Sequence, residues 1–180
     1  MRHRPLALLL SLVGLVACVA VAPSGAGGPQ ASADRPHAVI FMIGDGFGIS
    51  QLAFSRNLIM GKGKRFTLES LPVLGLMTTW SASNAVTDSG AAATAMGAGV
   101  KTDNKHIGMD AMGKPVGTFA DRAKEQGWKL GYVTTTRITH ATPAACYGHV
   151  INRDDEETIA AQILVQQPDV ALGGGAAFFL

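Results

Sequence analysis

From Ala38 onward, apolar positions follow two patterns that alternate along the chain. "AVIFMI" (residues 38–43) is a continuous apolar run, which fits a strand buried on both faces and ends at the turn-rich "GDGFG". "SQLAFSRNLIM" (50–60) has helical spacing with Ser50 as its cap, and "PVLGLMTT" (72–79) reads as a second strand. A Ser-rich loop then leads into "VTDSGAAATAMGAG" (86–99), an alanine-rich helix capped by Asp88 or Ser89. "VGTFADRAKEQG" (116–127) is an amphipathic helix closed by Gly127, and "KLGYVTTT" (129–136) follows as a strand. "DDEETIAAQILVQQ" (154–167) has an acid-rich first turn and an apolar face, and "DVALGGG" (169–175) gives a further strand and a glycine turn. This alternation predicts an α/β fold, a mostly parallel sheet with helices on both faces. Ligands in such sheets bind beyond the carboxyl ends of the strands, so "GDGFG", "DSG" and "THATPA" are expected to converge at one edge.

The start of the chain changes how its charge is read. "MRHRPLALLLSLVGLVACVAVA" has a basic beginning and an apolar stretch, the layout of a secretory signal peptide. An uncleaved membrane anchor is the minor alternative. "ASA" (31–33) fits a cleavage site before Asp34, while "LVAC" (15–18) resembles a bacterial lipobox that would leave a lipid anchor on Cys18. The expected division is therefore 1–33 as signal peptide and linker and 34–180 as a catalytic body, exported to the periplasm or the exterior. The 180 residues carry 15 Lys+Arg, 13 Asp+Glu and a formal charge of +2. Arg2 and Arg4 account for the whole excess, and no basic stripe remains to suggest nucleic-acid binding. Cys146 is the only cysteine beyond the leader, which excludes an internal disulfide there and reads as a buried, inert thiol.

Taken singly, the polar candidates have ordinary explanations. Asp45 lies between two glycines, where turn residues are common. His140 and Thr142 alternate in "THATP", so an extended segment would point both the same way. Arg153 opens "RDDEE", a natural surface ion pair. Ser89 is different, because a hydroxyl at a helix N-terminus among small side chains sits where an anion would bind.

Jointly they carry a resemblance. "VTDSGAAATA" is similar to the nucleophile signature of the alkaline phosphatase family, and "IGDGFG", "GVKTDN", "HATPAACYGHVINR" and "LGGGAAFF" resemble its other landmarks in the family's order. The resemblance covers nearly all of Ala38 to Phe179. It implies hydrolysis of small phosphate monoesters with Ser89 as the nucleophile that becomes a phosphoserine. It also implies two zinc ions and one magnesium ion, with Asp45 between a zinc and the magnesium, Ser89 on a zinc, and His140 and Thr142 on the magnesium side. Arg153 would clamp the phosphate and Asp88 would steady Arg153. Family members are often dimers, so the resemblance implies a homodimer for the full-length protein. The chemistry suits these residue types, because a phosphate dianion repels nucleophiles until cations and a forked guanidinium neutralise it.

The family draws most of its zinc ligands, and a magnesium glutamate, from sequence beyond this C-terminus. Beyond the leader the histidines are His37, His106, His140 and His149, and they make no paired Asp/His arrangement for zinc. His149 is expected in a helix and His106 in a loop near the cleft. "GGGAAFFL" ends on apolar residues after a strand and turn, which reads as a chain cut short and, by itself, inactive. Two alternatives stand beside the monoesterase: a truncated, non-catalytic fragment that binds phosphate or metal, and a phosphodiester or sulfate-ester hydrolase on the same scaffold. Arg153 argues for the monoester, since its fork suits two free phosphate oxygens.

Overall fold

The computed structural model describes residues 36–180. They divide into a short unit that ends at Phe41 and a larger one, Met42–Leu180. The leader, its cleavage sites and Cys18 lie outside the described residues.

The larger unit is a partial α/β fold. Helix α1 (Ile49–Ser55) runs on into a π-helical turn, Arg56–Met60. Its N-cap is Gly48 rather than Ser50; the Gln51 side chain folds back to accept from the Gly48 N–H at 3.2 Å. Helix α2 (Ser89–Ala98) is capped by Asp88, whose carboxylate accepts from the Ala91 N–H at 2.9 Å. Helix α3 (Phe119–Glu125) starts with a capping box, in which Thr118 accepts from the Asp121 N–H and Asp121 accepts from the Thr118 N–H. Strand β1 (Gly131–Arg137) leads through α4 (Ala141–Ala144) and α5 (Glu156–Gln166) to β2 (Val170–Gly174). The two strands pair in parallel with Tyr132 opposite Ala171 and Val133 opposite Leu172.

The core lies between α4, α5 and the chain around Ile107 and Val150. It is built from Ile107, Ile138, Ala144, Tyr147, Ile159, Ile163 and their small neighbours. Tyr132 faces α5, where its hydroxyl donates to Gln166 at 2.8 Å, while Val133 on the opposite face is 75% exposed. Exposure alternates over residues 131–134 of β1, as side chains on an extended strand do. Among the described residues no helix is long and apolar enough to cross a membrane.

Two expected strands do not form. Residues 38–43 and 72–79 have no regular secondary structure, and Ile40 and Leu76 are 83% and 84% exposed. A strand exists only through its ladder, and among the described residues the only paired strands are β1 and β2. Both runs have the side chains of a buried strand, but neither joins a ladder among the described residues, and a strand's regular backbone comes from its ladder.

Candidate active site

Asp45 sits at the tip of a tight turn in which the Phe47 N–H donates to the Gly44 carbonyl at 3.1 Å. Both flanking glycines are needed for that turn. A Cβ on Gly44 would lie 2.9 Å from Phe47 Cβ, and Gly46 has φ +63. The exposed Asp45 carboxylate accepts two hydrogen bonds at its end. Ser89 Oγ approaches both carboxylate oxygens at 3.0 Å, and Thr142 Oγ1 donates to Oδ2 at 2.8 Å.

Ser89 is the first residue of α2, beside the capping Asp88. Asp88 works on three sides. Oδ1 holds the Ala91 amide, while Oδ2 accepts from the Lys105 N–H at 3.1 Å and from Arg153 Nη1 at 3.0 Å. Burial alone would raise its carboxyl; the Ala91 amide, Arg153 and the Lys105 amide outweigh it, and the group sits below the usual aspartate range. The small residues of "DSGAAA" serve this approach: a Cβ on Gly90 would lie 3.0 Å from the His106 carbonyl, so glycine lets the 104–107 loop pass close to the helix start.

Arg153 Nη2 donates to His140 Nε2 at 3.1 Å. A guanidinium only donates, so Nε2 is the acceptor and the ring is neutral with its proton on Nδ1. That Nδ1 is buried without a hydrogen-bond partner. Burial, then Arg153 and Arg137, hold the His140 imidazole below its ordinary value, which agrees with the neutral form. With one N–H on Asp88 and one on His140, Arg153 keeps three further N–H groups for a ligand.

The structure thus brings together Asp45, Asp88, Ser89, His140, Thr142 and Arg153, all six of the expected site residues. One expectation about how they arrive is corrected. His140 and Thr142 do not share an extended segment: His140 caps α4 with extended backbone (ψ 154) and Thr142 lies inside the helix. They point to different partners, Arg153 and Asp45. His149 lies outside any helix, with Nδ1 2.8 Å from the Gly108 carbonyl, and His106 Nδ1 lies 3.1 Å from both Thr102 Oγ1 and the Asp110 carbonyl. Cys146 is partly buried, its thiol pushed up to about 11 by burial, as an inert thiol should be.

Sequence reading missed the residues that brace the site. Asn104 Oδ1 accepts from the Asp88 N–H at 3.2 Å. Glu156, the first residue of α5, is 9% exposed and takes Arg137 Nε at 2.8 Å and Thr139 Oγ1 at 2.5 Å. This contact ties the end of β1, next to His140, to the start of α5, next to Arg153. The Arg137 hydrogen bond holds the Glu156 carboxyl below its usual range against the opposing effect of burial, with Thr139 assisting. A carboxyl lowered in the folded state binds fewer protons there than in the unfolded chain. Its stabilisation is therefore complete above about pH 4.3 and is lost as pH falls through the folded value. Denaturation followed across that acid range should show the loss, and Glu156→Gln should flatten it. An unchanged acid limb in Glu156→Gln would show that the contact contributes nothing.

Asp45, Ser89 and Thr142 offer oxygen alone at one point, which suits a hard cation such as magnesium. Among the described residues no three His, Cys, Asp or Glu side chains gather into a metal-sized group.

Residues 37–180 match the family model for alkaline phosphatase. The chain belongs to the alkaline phosphatase family. It is 36% identical over 156 residues to an alkaline phosphatase of Schizosaccharomyces pombe, covering 82% of this chain and 29% of that protein. It is 32% identical over 183 residues to a streptomycin-6-phosphate phosphatase of Streptomyces griseus, covering 88% of this chain and 41% of the other. Among solved structures, a His-to-Asp variant of the TAB5 alkaline phosphatase with Mg bound superposes with a TM-score of 0.64 at 35% identity, over 70% of this chain and 36% of that one. This family member therefore spans roughly a third of the length of these relatives.

Proposed function

We propose that this family member contributes the nucleophile and phosphate clamp of a phosphomonoesterase. The observation that carries the reading is the placement of the Ser89 hydroxyl at the start of α2, hydrogen-bonded to Asp45, while the adjacent Asp88 grips Arg153. The expected substrate is a small phosphate monoester, whose terminal group offers the free oxygens that a forked guanidinium binds.

In this reading Asp45 holds the Ser89 hydroxyl proton away from the approaching phosphorus. Ser89 Oγ attacks phosphorus as its proton passes to Asp45, the ester P–O bond breaks, and the leaving oxygen takes a proton from water and departs as the alcohol. Water then hydrolyses the Ser89 phosphate ester, releasing inorganic phosphate and restoring the Ser89 hydroxyl. Arg153 neutralises part of the phosphate charge throughout, with His140 and Asp88 fixing the plane of its guanidinium. Neutral His140 does this without adding a competing positive charge. Asp45, Thr142 and Ser89 would hold magnesium, which supplies charge neutralisation and acidifies a nearby hydroxyl when bound. The zinc pair implied by resemblance lacks a donor set among the described residues. Export, through the leader and cleavage before Asp34, belongs to the same proposal.

Radiolabelled phosphate incubated with the full-length protein tests the reading, followed by acid quench and peptide mapping. Acid-stable label in the peptide that holds Ser89 is the expected result. Label on a different residue would overturn the assignment.

A further inference from the structure

We propose that Lys105 is a positioning residue for Arg153 that acts through its main chain, with its ammonium group playing no part. The proposal rests on the reading of Arg153 as the phosphate clamp. Lys105 has φ +76 and is one of two non-glycine residues with positive φ among the described residues. The other, Gln167, follows the last turn of α5, where a left-handed residue is an ordinary helix ending. Lys105 has no helix to end. It is the third residue of the Asp103–His106 turn, closed by the His106 N–H on the Asp103 carbonyl at 3.2 Å, and a positive φ at that position ordinarily falls to glycine.

What the strained conformation achieves is visible in its contacts. The Lys105 N–H donates to Asp88 Oδ2 at 3.1 Å, the same oxygen that receives Arg153 Nη1 at 3.0 Å. The Lys105 carbonyl accepts from the main-chain N–H of Arg153 at 2.9 Å. One residue thus holds the carboxylate that grips the guanidinium and the backbone that carries it. Two residues further on, Ile107 and Val150 exchange both of their backbone bonds, at 2.8 and 2.9 Å, and keep the two segments in register. The side chain offers little in return: Lys105 Nζ lies 3.5 Å from Asp154, with both side chains more than half exposed. Backbone strain held by its surroundings beside a ligand clamp is where such strain is commonly found.

The test is a series at position 105 in the full-length holoenzyme, with inorganic phosphate as competitive inhibitor and KM and kcat measured separately. Lys105→Gly and Lys105→Asn accept a positive φ and should bind phosphate as well as the parent. Lys105→Val resists it and should raise KM and the phosphate inhibition constant by about 10- to 100-fold, with a smaller change in kcat. A general loss of folding would lower active enzyme without splitting KM from kcat. If Lys105→Val fails to fold, Lys105→Ala takes its place and should fall between Gly and Arg153→Ala. A Gly variant as weak as the Val or Ala variant would show that the ammonium matters and overturn the proposal, as would a Val or Ala variant equal to the parent. Arg153→Ala is the separate control. Unchanged phosphate affinity there would remove the clamp reading itself, whereas weakened affinity there with a flat 105 series would remove only the role of Lys105.

Discussion

Ser89→Ala should abolish the phosphoenzyme and reduce turnover by at least about a thousandfold, while leaving the fold intact. The fold should survive because Asp88, and not Ser89, caps α2. Alanine is also a strong helix former, so the first turn of α2 accommodates it. The substitution removes Ser89 Oγ from Asp45, but Asp45 keeps its hydrogen bond from Thr142, so no carboxylate is stranded. Steady-state turnover and thermal melting, measured together on the full-length protein, separate the two effects. Parental turnover in Ser89→Ala would rule out the nucleophile assignment, whatever the metals do. A large drop in melting temperature would instead mean that the hydroxyl is structural.

Gly108→Ala should cost about 3 kcal/mol or more of stability, the sum of a left-handed backbone penalty and an overpacked contact. Gly108 has φ +56, and a Cβ there would lie 2.0 Å from the Gly148 carbonyl oxygen and 2.7 Å from His149 Nδ1. Neither neighbour can yield cheaply. The Gly108 N–H is bound to the buried Thr94 hydroxyl at 3.0 Å, and its carbonyl faces His149 and accepts from Val116. The 105–110 loop would have to separate from the 148–153 segment, breaking the register that carries Arg153. Denaturant unfolding should show a lowered midpoint, and phosphate affinity should fall with it. A midpoint within experimental error of the parent would mean that the two segments are not packed as described.

Local rules made much of this legible in advance. The acid-rich start and apolar face of residues 154–167 became α5, and Asp88, one of two candidate caps, became the cap of α2. "KLGYVTTT" and "DVALGGG" became the paired strands, because their apolar runs end at turns that suit a parallel crossover. The same rule failed for residues 38–43 and 72–79, since hydrophobicity marks a strand's faces but adjacent strands must supply its edges. His140 and Thr142 do meet other candidate residues, Arg153 and Asp45, but not from one shared extended segment. A short helix begins at Ala141, between the two residues, so a spacing of two no longer means a shared face.

What lay beyond the sequence is the bracing. Asn104, Lys105, Arg137 and Glu156 are ordinary polar residues in the sequence, and their parts in the site depend on partners 16 to 48 positions away. Lys105 is the clearest case, because its contribution is a backbone angle and two main-chain bonds, which residue type does not encode. The sequence by itself determined the α/β class and the Asp88 cap of α2, and it singled out the six polar residues that the fold brings together, because those follow from periodicity, capping and short motifs. Only the tertiary structure decided which oxygen faces which hydroxyl and that His140 accepts from Arg153. Those properties arise from distances between segments far apart in the chain, and packing sets such distances.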